Sequence, residues 1–319
     1  MTQLLVETRG LRKYFNTSRG KLHAVDGVDF SIEEGKTLGI VGESGCGKST
    51  LGRVILRLTD ATEGEVLYQG KDILTYGRKK MLDMRKKMQM IFQDPYASLN
   101  PRMTVSEIIA EPIRIMKTLE DKQQINRRVY QMMNVVGLSG RLVNAYPHEL
   151  DGGRRQRIGV ARALAVDPAF IVCDEPVSAL DVSIQAQILN MLMDLQEEFG
   201  LTYMFITHDL SVVKHISDDI GVMYLGQCVE LSSSRQLFER PLHPYTQALL
   251  DAIPMPDPDH AMGEILKGEV TSPIEPSPGC RFANRCKHAH EACLGQDIPV
   301  YQPFPGHQVK CVLYQEGAE

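Results

Sequence analysis

Residues Gly42-Glu43-Ser44-Gly45-Cys46-Gly47-Lys48-Ser49, followed by Thr50, carry the spacing G-x-x-x-x-G-K-S. That pattern suits a phosphate. Glycines let successive backbone N–H groups turn inward around phosphate oxygens, an approach that side chains would block. Lys48 supplies a cation for the β- and γ-phosphates, and the Ser49 hydroxyl suits Mg²⁺. A second, acidic element must hold the metal and position water. Phe170-Ile171-Val172-Cys173-Asp174-Glu175 is an apolar run ending in two carboxylates. Asp174 is placed to serve Mg²⁺, and Glu175 to polarise an attacking water as general base. Taken alone, the two acids could simply be solvated at a strand end; the phosphate loop favours the catalytic reading.

These residues need elements to hold them. Short strands are expected at residues 4–8, 28–32 and 37–41, the last buried and directly before the glycine-rich loop. A helix should follow the loop, because Leu51, Val54, Ile55 and Leu58 form one apolar stripe. Further strands are expected at 65–68, 88–92, 170–173 and 203–206. Residues 104 to about 145 read as helical and polar. Ile184, Ile188, Leu192, Leu195 and Phe199 make a helical face ending at Gly200. Strands alternating with helices predict an α/β fold with a parallel sheet, interrupted by a helical insertion near 95–157. Beyond residue 240 prolines crowd one stretch (Pro241, Pro244, Pro254, Pro256, Pro258, Pro273, Pro276, Pro278), marking a boundary and a loop-rich tail.

Composition narrows the function classes. The chain has 319 residues, 43% hydrophobic and 24% charged, with net charge -5, which excludes a wholly disordered chain. No apolar run approaches the roughly 18 residues of a membrane span. The first residues, Met1-Thr2-Gln3-Leu4-Leu5-Val6-Glu7, lack a basic region and apolar stretch, so no secretory signal is expected. The acidic balance gives no electrostatic support for nucleic-acid binding. Seven cysteines without an export signal argue against a disulfide scaffold.

The order of motifs resembles the ATPase subunit of an ATP-binding cassette (ABC) transporter over residues 1 to about 240. Gln93, after Met90-Ile91-Phe92, resembles the Q-loop glutamine, which contacts Mg²⁺ and senses the transmembrane subunit. Leu150-Asp151-Gly152-Gly153-Arg154 stands at the signature, usually L-S-G-G-Q. Ser178-Ala179-Leu180-Asp181 resembles the D-loop, and His208 in Thr207-His208-Asp209 the switch histidine that contacts the γ-phosphate. Tyr14 occupies the place of the aromatic that stacks on adenine. The resemblance implies a P-loop NTPase core with an antiparallel β subdomain, binding ATP and Mg²⁺. It implies that each phosphate loop meets the signature of a partner ATPase, so that ATP is sandwiched between two subunits. Two transmembrane permease subunits would receive the stroke through residues 93–104, at the cytoplasmic face of the membrane.

Asp151 and Arg154 depart from that pattern. A serine hydroxyl donates to the partner's γ-phosphate; an ionised carboxylate cannot, and adds like charge. Arg154, three residues on along a helix, is placed to neutralise Asp151 or to reach the phosphate itself. A degenerate signature beside a complete Lys48/Glu175 half-site predicts a heterodimer with one strongly hydrolytic site; harmless variation is the plainer reading.

The segment His243-Pro244-Tyr245-Thr246-Gln247-Ala248-Leu249-Leu250 resembles the opening of the C-terminal extension (241–319) in dipeptide/oligopeptide importer ATPases. Such importers take their solute from an extracytoplasmic binding protein. Cys280, Cys286, Cys293 and Cys311 are spaced C-x5-C-x6-C-x17-C. Soft thiolates in a reducing compartment bind zinc or iron–sulfur clusters. The resemblance favours a [4Fe–4S] cluster as a structural staple, with zinc as the alternative and free thiols or disulfides after it. His288 and His290 lie among these cysteines as further possible ligands or as exposed polar residues. Two other functions compete: a cytosolic non-transport cassette ATPase acting on nucleic acid or ribosomes, and a small-molecule kinase. The kinase would not need the signature, Asp181 or His208.

Overall fold

The computed structural model of the protein describes residues 3–252 and 273–315. Met1 and Thr2, and Pro254, Pro256 and Pro258 of the proline-rich stretch, lie outside them.

The chain opens with a hairpin of β1 (Leu4–Thr17) and β2 (Gly20–Glu33). Both strands are far longer than the sequence pattern predicts. Their outer positions carry exposed polar residues such as Glu7's neighbour Arg9, Lys21 and Asp29, and register shifts interrupt the alternation that would have marked them. Next come β3 (Thr37–Val41), α1 (Lys48–Ile55), β4 (Glu63–Tyr68), β5 (Lys71–Asp72), α2 (Arg78–Lys87) and β6 (Met88–Ile91). Leu58, expected on the α1 stripe, falls beyond the helix and is exposed. The insertion contains α3 (Pro95–Ser98), α4 (Val105–Met116), α5 (Lys122–Val135) and α6 (Gly152–Leu164). Thr104 and Glu107 form a capping box that starts α4. The chain returns through β7 (Phe170–Asp174), α7 (Val182–Phe199), β8 (Thr202–Ile206), α8 (Leu210–Ile216), β9 (Asp219–Tyr224), β10 (Gln227–Ser233) and α9 (Ser234–Glu239). The tail adds α10 (Pro244–Asp251), β11 (Tyr301–Phe304) and β12 (His307–Val309).

Two sheets result. The antiparallel sheet runs β2-β1-β4-β5, and the main sheet runs β11-β12-β10-β9-β3-β8-β7-β6. Pairings among β3, β6, β7, β8 and β9 are parallel, as alternating strands and helices require. Strand alternation divides the core. Ile171, Cys173, Tyr203 and Phe205 face the helical insertion and α7, while Phe170, Val172, Met204 and Ile206 face α1 and the antiparallel sheet. Strands buried on both faces explain the continuous apolar runs in the sequence. The tail is less loop-rich than expected: β12 pairs with β10, extending the main sheet at its edge. Phe282 and Tyr245 of the tail also join the large core cluster.

Candidate functional site

Four parallel strands deliver the predicted residues to one edge of the sheet. The glycine-rich loop follows β3, Gln93 follows β6, Asp174 and Glu175 end β7, and His208 follows β8. Side chains beyond the carboxyl ends of parallel strands surround a crevice, the usual ligand position in such folds. Here they line a cavity of about 620 Å³ containing Gly42 through Gly45, Gly47 through Thr50, Gln93, Glu175 and His208.

The loop's glycines are sterically required. Gly47 has φ +107, and a Cβ there would lie 1.9 Å from the Ala24 carbonyl oxygen; Gly42, at φ +151, would meet the Met223 carbonyl at 2.1 Å. Gly47 is also the N-cap of α1, whose first residues Lys48, Ser49 and Thr50 line the cavity. Lys48 is buried and donates from Nζ to the carbonyls of Gly42 (2.7 Å) and Glu43 (3.0 Å). Its charge therefore sits inside the loop that would receive phosphate. Cys46 does not line the cavity: its side chain is buried in the core cluster of α1, and its Sγ accepts from Lys48 Nζ at 3.9 Å.

The acidic element matches it. The Ser49 hydroxyl donates to Asp174 Oδ1 at 2.6 Å, bringing two hard oxygen donors together, a set that fits Mg²⁺. Burial pushes the Asp174 carboxyl up from its usual range, and the Ser49 hydroxyl offsets part of that rise. Glu175 adopts φ +45, a left-handed conformation that costs a non-glycine residue energy. Its backbone N–H donates to the Ile206 carbonyl. Gln93 Nε2 donates to Glu175 Oε2 (3.0 Å), and His208 Nδ1 lies 3.4 Å from the same oxygen. Residues from three separate loops thus meet at one carboxylate oxygen. Such an arrangement can hold a water near a phosphate and take its proton.

Tyr14 requires a correction. It does not line the cavity: its ring stacks on His23 with centroids 4.0 Å apart, and its hydroxyl donates to Asp26 at 2.5 Å. The neighbouring Phe15 lines the cavity instead, beside Leu22 and Ala24. Consecutive strand residues point to opposite faces, so only one of the two can stack on a base. Phe15 pairs in register with Leu22, and Tyr14 with His23. Leu249 and Pro273, both from the tail, close another side. Only knowledge of the β1–β2 register could have singled out Phe15, and nothing local marks Leu249 or Pro273.

Asp151, Gly152, Gly153 and Asp181 do not line this cavity. Asp151 is the N-cap of α6, accepting from the Arg154 N–H (2.8 Å), and Arg154 Nη1 donates to its second oxygen (2.9 Å). The expected neutralisation of Asp151 by Arg154 is present. Asp181 is the N-cap residue of α7, without a side-chain cap. A Cβ on Gly152 would meet Leu180, and one on Gly153 would meet Ile184, so signature and D-loop stand side by side.

The four tail cysteines, all free, line one small cavity with His243, His288 and Phe282. Burial pushes the Cys311 thiol up to about 11 and raises those of Cys280 and Cys286. Among the described residues no group of three or more His, Cys, Asp or Glu is arranged to hold a metal ion. The zinc or cluster expected here therefore has no assembled ligand set among the described residues: the four thiols ring a small, largely apolar space. His290 Nδ1 lies 3.7 Å from Cys293 Sγ.

This geometry defines a nucleoside-triphosphate-binding cassette. Residues 25–178 match the ABC transporter family, and residues 229–293 match the C-terminal region of oligopeptide/dipeptide transporters. The chain is 53% identical over 312 residues to the oligopeptide transport ATP-binding protein OppF of Bacillus subtilis, covering 98% of this chain and 97% of that protein. It is 51% identical over 322 residues to OppF of Salmonella typhimurium, covering 97% and 96%. A dimeric structure of the ATP-binding cassette MJ0796 bound to ADP and Pi is similar at TM-score 0.67 and 29% identity, covering 72% of this chain and 99% of that one. The chain belongs to the ABC transporter family as an ATP-binding subunit with an oligopeptide/dipeptide-type C-terminal region, and its activity is that of a transport ATPase. Among the described residues no helix is long and apolar enough to cross a membrane.

Proposed function

We propose that the chain hydrolyses ATP in the cavity beyond β3 and β7 to power uptake of oligopeptides or dipeptides. The observation that carries this is the convergence of Gln93, Glu175 and His208 beside the Lys48 loop. In this reading Lys48 and the loop amides bind the triphosphate, Phe15 stacks on adenine, and Ser49, Asp174 and Gln93 hold Mg²⁺, which neutralises phosphate charge when bound. Glu175 takes the proton of the attacking water, and His208 contacts the γ-phosphate. Asp151, Gly152, Gly153 and Asp181 face the nucleotide of a second ATPase subunit, a different chain. The cassette spans residues 1–240 with its helical part at 95–157, and the extension covers 241–319.

The partners are two permease subunits, supplied by a solute-binding protein outside the membrane; the cassette rides on the cytoplasmic face. The groove between α4 and β6, lined by Leu58, Phe92, Ile115 and Met116 beside Gln93's neighbour Phe92, supports a permease contact next to the catalytic glutamine. A soft-metal staple there rests on the four cysteines lining one cavity, and would require the thiols to close in on the metal. The His243 Nδ1 accepts from the Tyr245 N–H (3.0 Å), which leaves Nε2 as a buried donor with no partner among the described residues. A [4Fe–4S] cluster would offer sulfur acceptors to such a donor, which a lone zinc ion would not, and so ranks ahead of zinc. Iron and sulfide analysis of anaerobically purified protein tests that part. For the main reading, Glu175→Gln in the assembled transporter should abolish most ATP turnover while keeping ATP bound. Near-normal turnover would refute it.

A further inference from the structure

The phosphate loop carries a charge that its task does not want. Glu43, its second residue, lines the cavity that would receive a triphosphate. A carboxylate there repels phosphate unless it is compensated. The compensation comes from the C-terminal extension, more than 240 residues away in sequence. Arg285 Nη1 and Nη2 donate to the two Glu43 oxygens at 2.8 and 3.0 Å, a fork-to-fork pair. The Arg285 side chain is only 5% exposed and also donates to the Tyr224 hydroxyl (3.4 Å). Its guanidinium lies 5.9 Å from the ring centroids of both Tyr224 and Phe282. These contacts fix it where Lys could not substitute fully, because an ammonium lacks the planar fork. The extension grips the same residue a second time: the Glu43 N–H donates to the Tyr245 hydroxyl at 2.9 Å.

We infer that Arg285 is a positioning residue of the ATPase site, neutralising Glu43 and, with Tyr245, fixing the start of the phosphate loop. ATP affinity then depends on the extension being docked. Arg285 directly precedes Cys286, which lines the four-thiol cavity, so the packing of that cavity bears on the loop through one peptide bond. The inference rests on the reading that this loop binds ATP, and Lys48→Ala serves as its control.

The test is equilibrium binding of ATP and of ADP to the full chain at low salt. Arg285→Ala should weaken ATP about tenfold and ADP by a smaller factor, because the uncovered carboxylate acts in proportion to nucleotide charge. Arg285→Lys should recover part of the loss. Adding Glu43→Gln to Arg285→Ala should restore ATP affinity to within about threefold, since no charge is left to compensate. An equal loss for ATP and ADP, or a double variant as weak as Arg285→Ala, overturns the inference. Should Arg285→Ala fail to fold, Glu43→Gln alone decides. Affinity unchanged or raised agrees with charge compensation, and a tenfold loss refutes it. If Lys48→Ala binds ATP as well as the unsubstituted chain, the site reading fails, which is a different result from silence of the Arg285 variants.

Discussion

Tyr14 and Phe15, adjacent on β1, divide two tasks that sequence alone gives to one of them. Phe15 faces the nucleotide cavity, while Tyr14 lies against His23 and Asp26. Base–aromatic stacking contributes about 1–3 kcal/mol. Phe15→Ala should therefore raise the ATP concentration for half-saturation about tenfold, read by nucleotide titration. Tyr14→Phe should leave that value alone and instead lower thermal stability by about 1 kcal/mol, the worth of one hydrogen bond. Gly47→Ala belongs to the same scale. Its Cβ would meet the Ala24 carbonyl at 1.9 Å at a φ of +107, so the loop must distort and ATP binding should be lost. The phosphate loop, Asp174 and Glu175 were legible because each sits in a contiguous motif at a strand end, whereas Gln93 and His208 were legible only through the order of motifs in the family resemblance. Phe15 was not, because its role depends on which face of a hairpin looks inward. The direction of a strand residue is a pairing property, and β1 has bulges that break the count.

At the scale of elements, the extension is bound to the cassette by buried charges. Asp26 of β2 accepts from the Tyr14 hydroxyl, lies 3.0 Å from His23 Nδ1, and takes an ion pair from Arg281 of the extension. Burial by itself would raise the Asp26 carboxyl, but the Tyr14 and His23 hydrogen bonds and the Arg281 charge outweigh it and hold the group below its ordinary value. A depressed carboxylate contributes stability above its unfolded pKa of roughly 3.8 and loses it as pH falls through the lower folded value. Asp26→Asn should cost about 2–3 kcal/mol at pH 7, because it leaves Arg281 buried without its partner. The gap in melting temperature between the two proteins should narrow as pH falls below about 4. A gap that stays unchanged there would contradict the assignment. Glu230 plays a similar role on β10, accepting from the backbone N–H groups of Leu242 and His243 and lying 2.7 Å from His307 of β12. None of this docking was visible in the sequence. Strands β3, β7 and β8 announced themselves as short continuous apolar runs and residues 104 to about 145 as helical and polar, whereas the parallel strand β9 was not expected. The tail's two short strands gain their order from β10, and an edge strand of three or four residues has too few positions to show a period.

For the whole molecule, the division between the Lys48 cavity and the Asp151 end of α6 sets what one chain can do. Its cavity is lined by the phosphate loop, Glu175 and His208, whereas Asp151 and Gly152 at the start of α6 lie elsewhere and, in the proposed arrangement, serve a neighbour's nucleotide. Asp151 uses both carboxylate oxygens within its own helix, one on the Arg154 amide and one on the Arg154 guanidinium. A serine at that position would cap α6 nearly as well, so Asp151→Ser should leave folding stability within about 1 kcal/mol of the original. It would, however, remove a negative charge and supply a hydroxyl donor to a facing phosphate. In the assembled transporter, a partner site limited by this signature should then turn over faster, by up to about tenfold for one gained charge-assisted hydrogen bond. The increase should vanish when the partner subunit's own catalytic carboxylate is removed, and persist when Glu175→Gln silences this chain's half-site. Arg154→Ala should act in the opposite direction, exposing the Asp151 charge to the facing nucleotide. If Asp151→Ser leaves turnover unchanged in both backgrounds, the signature is a neutral variant.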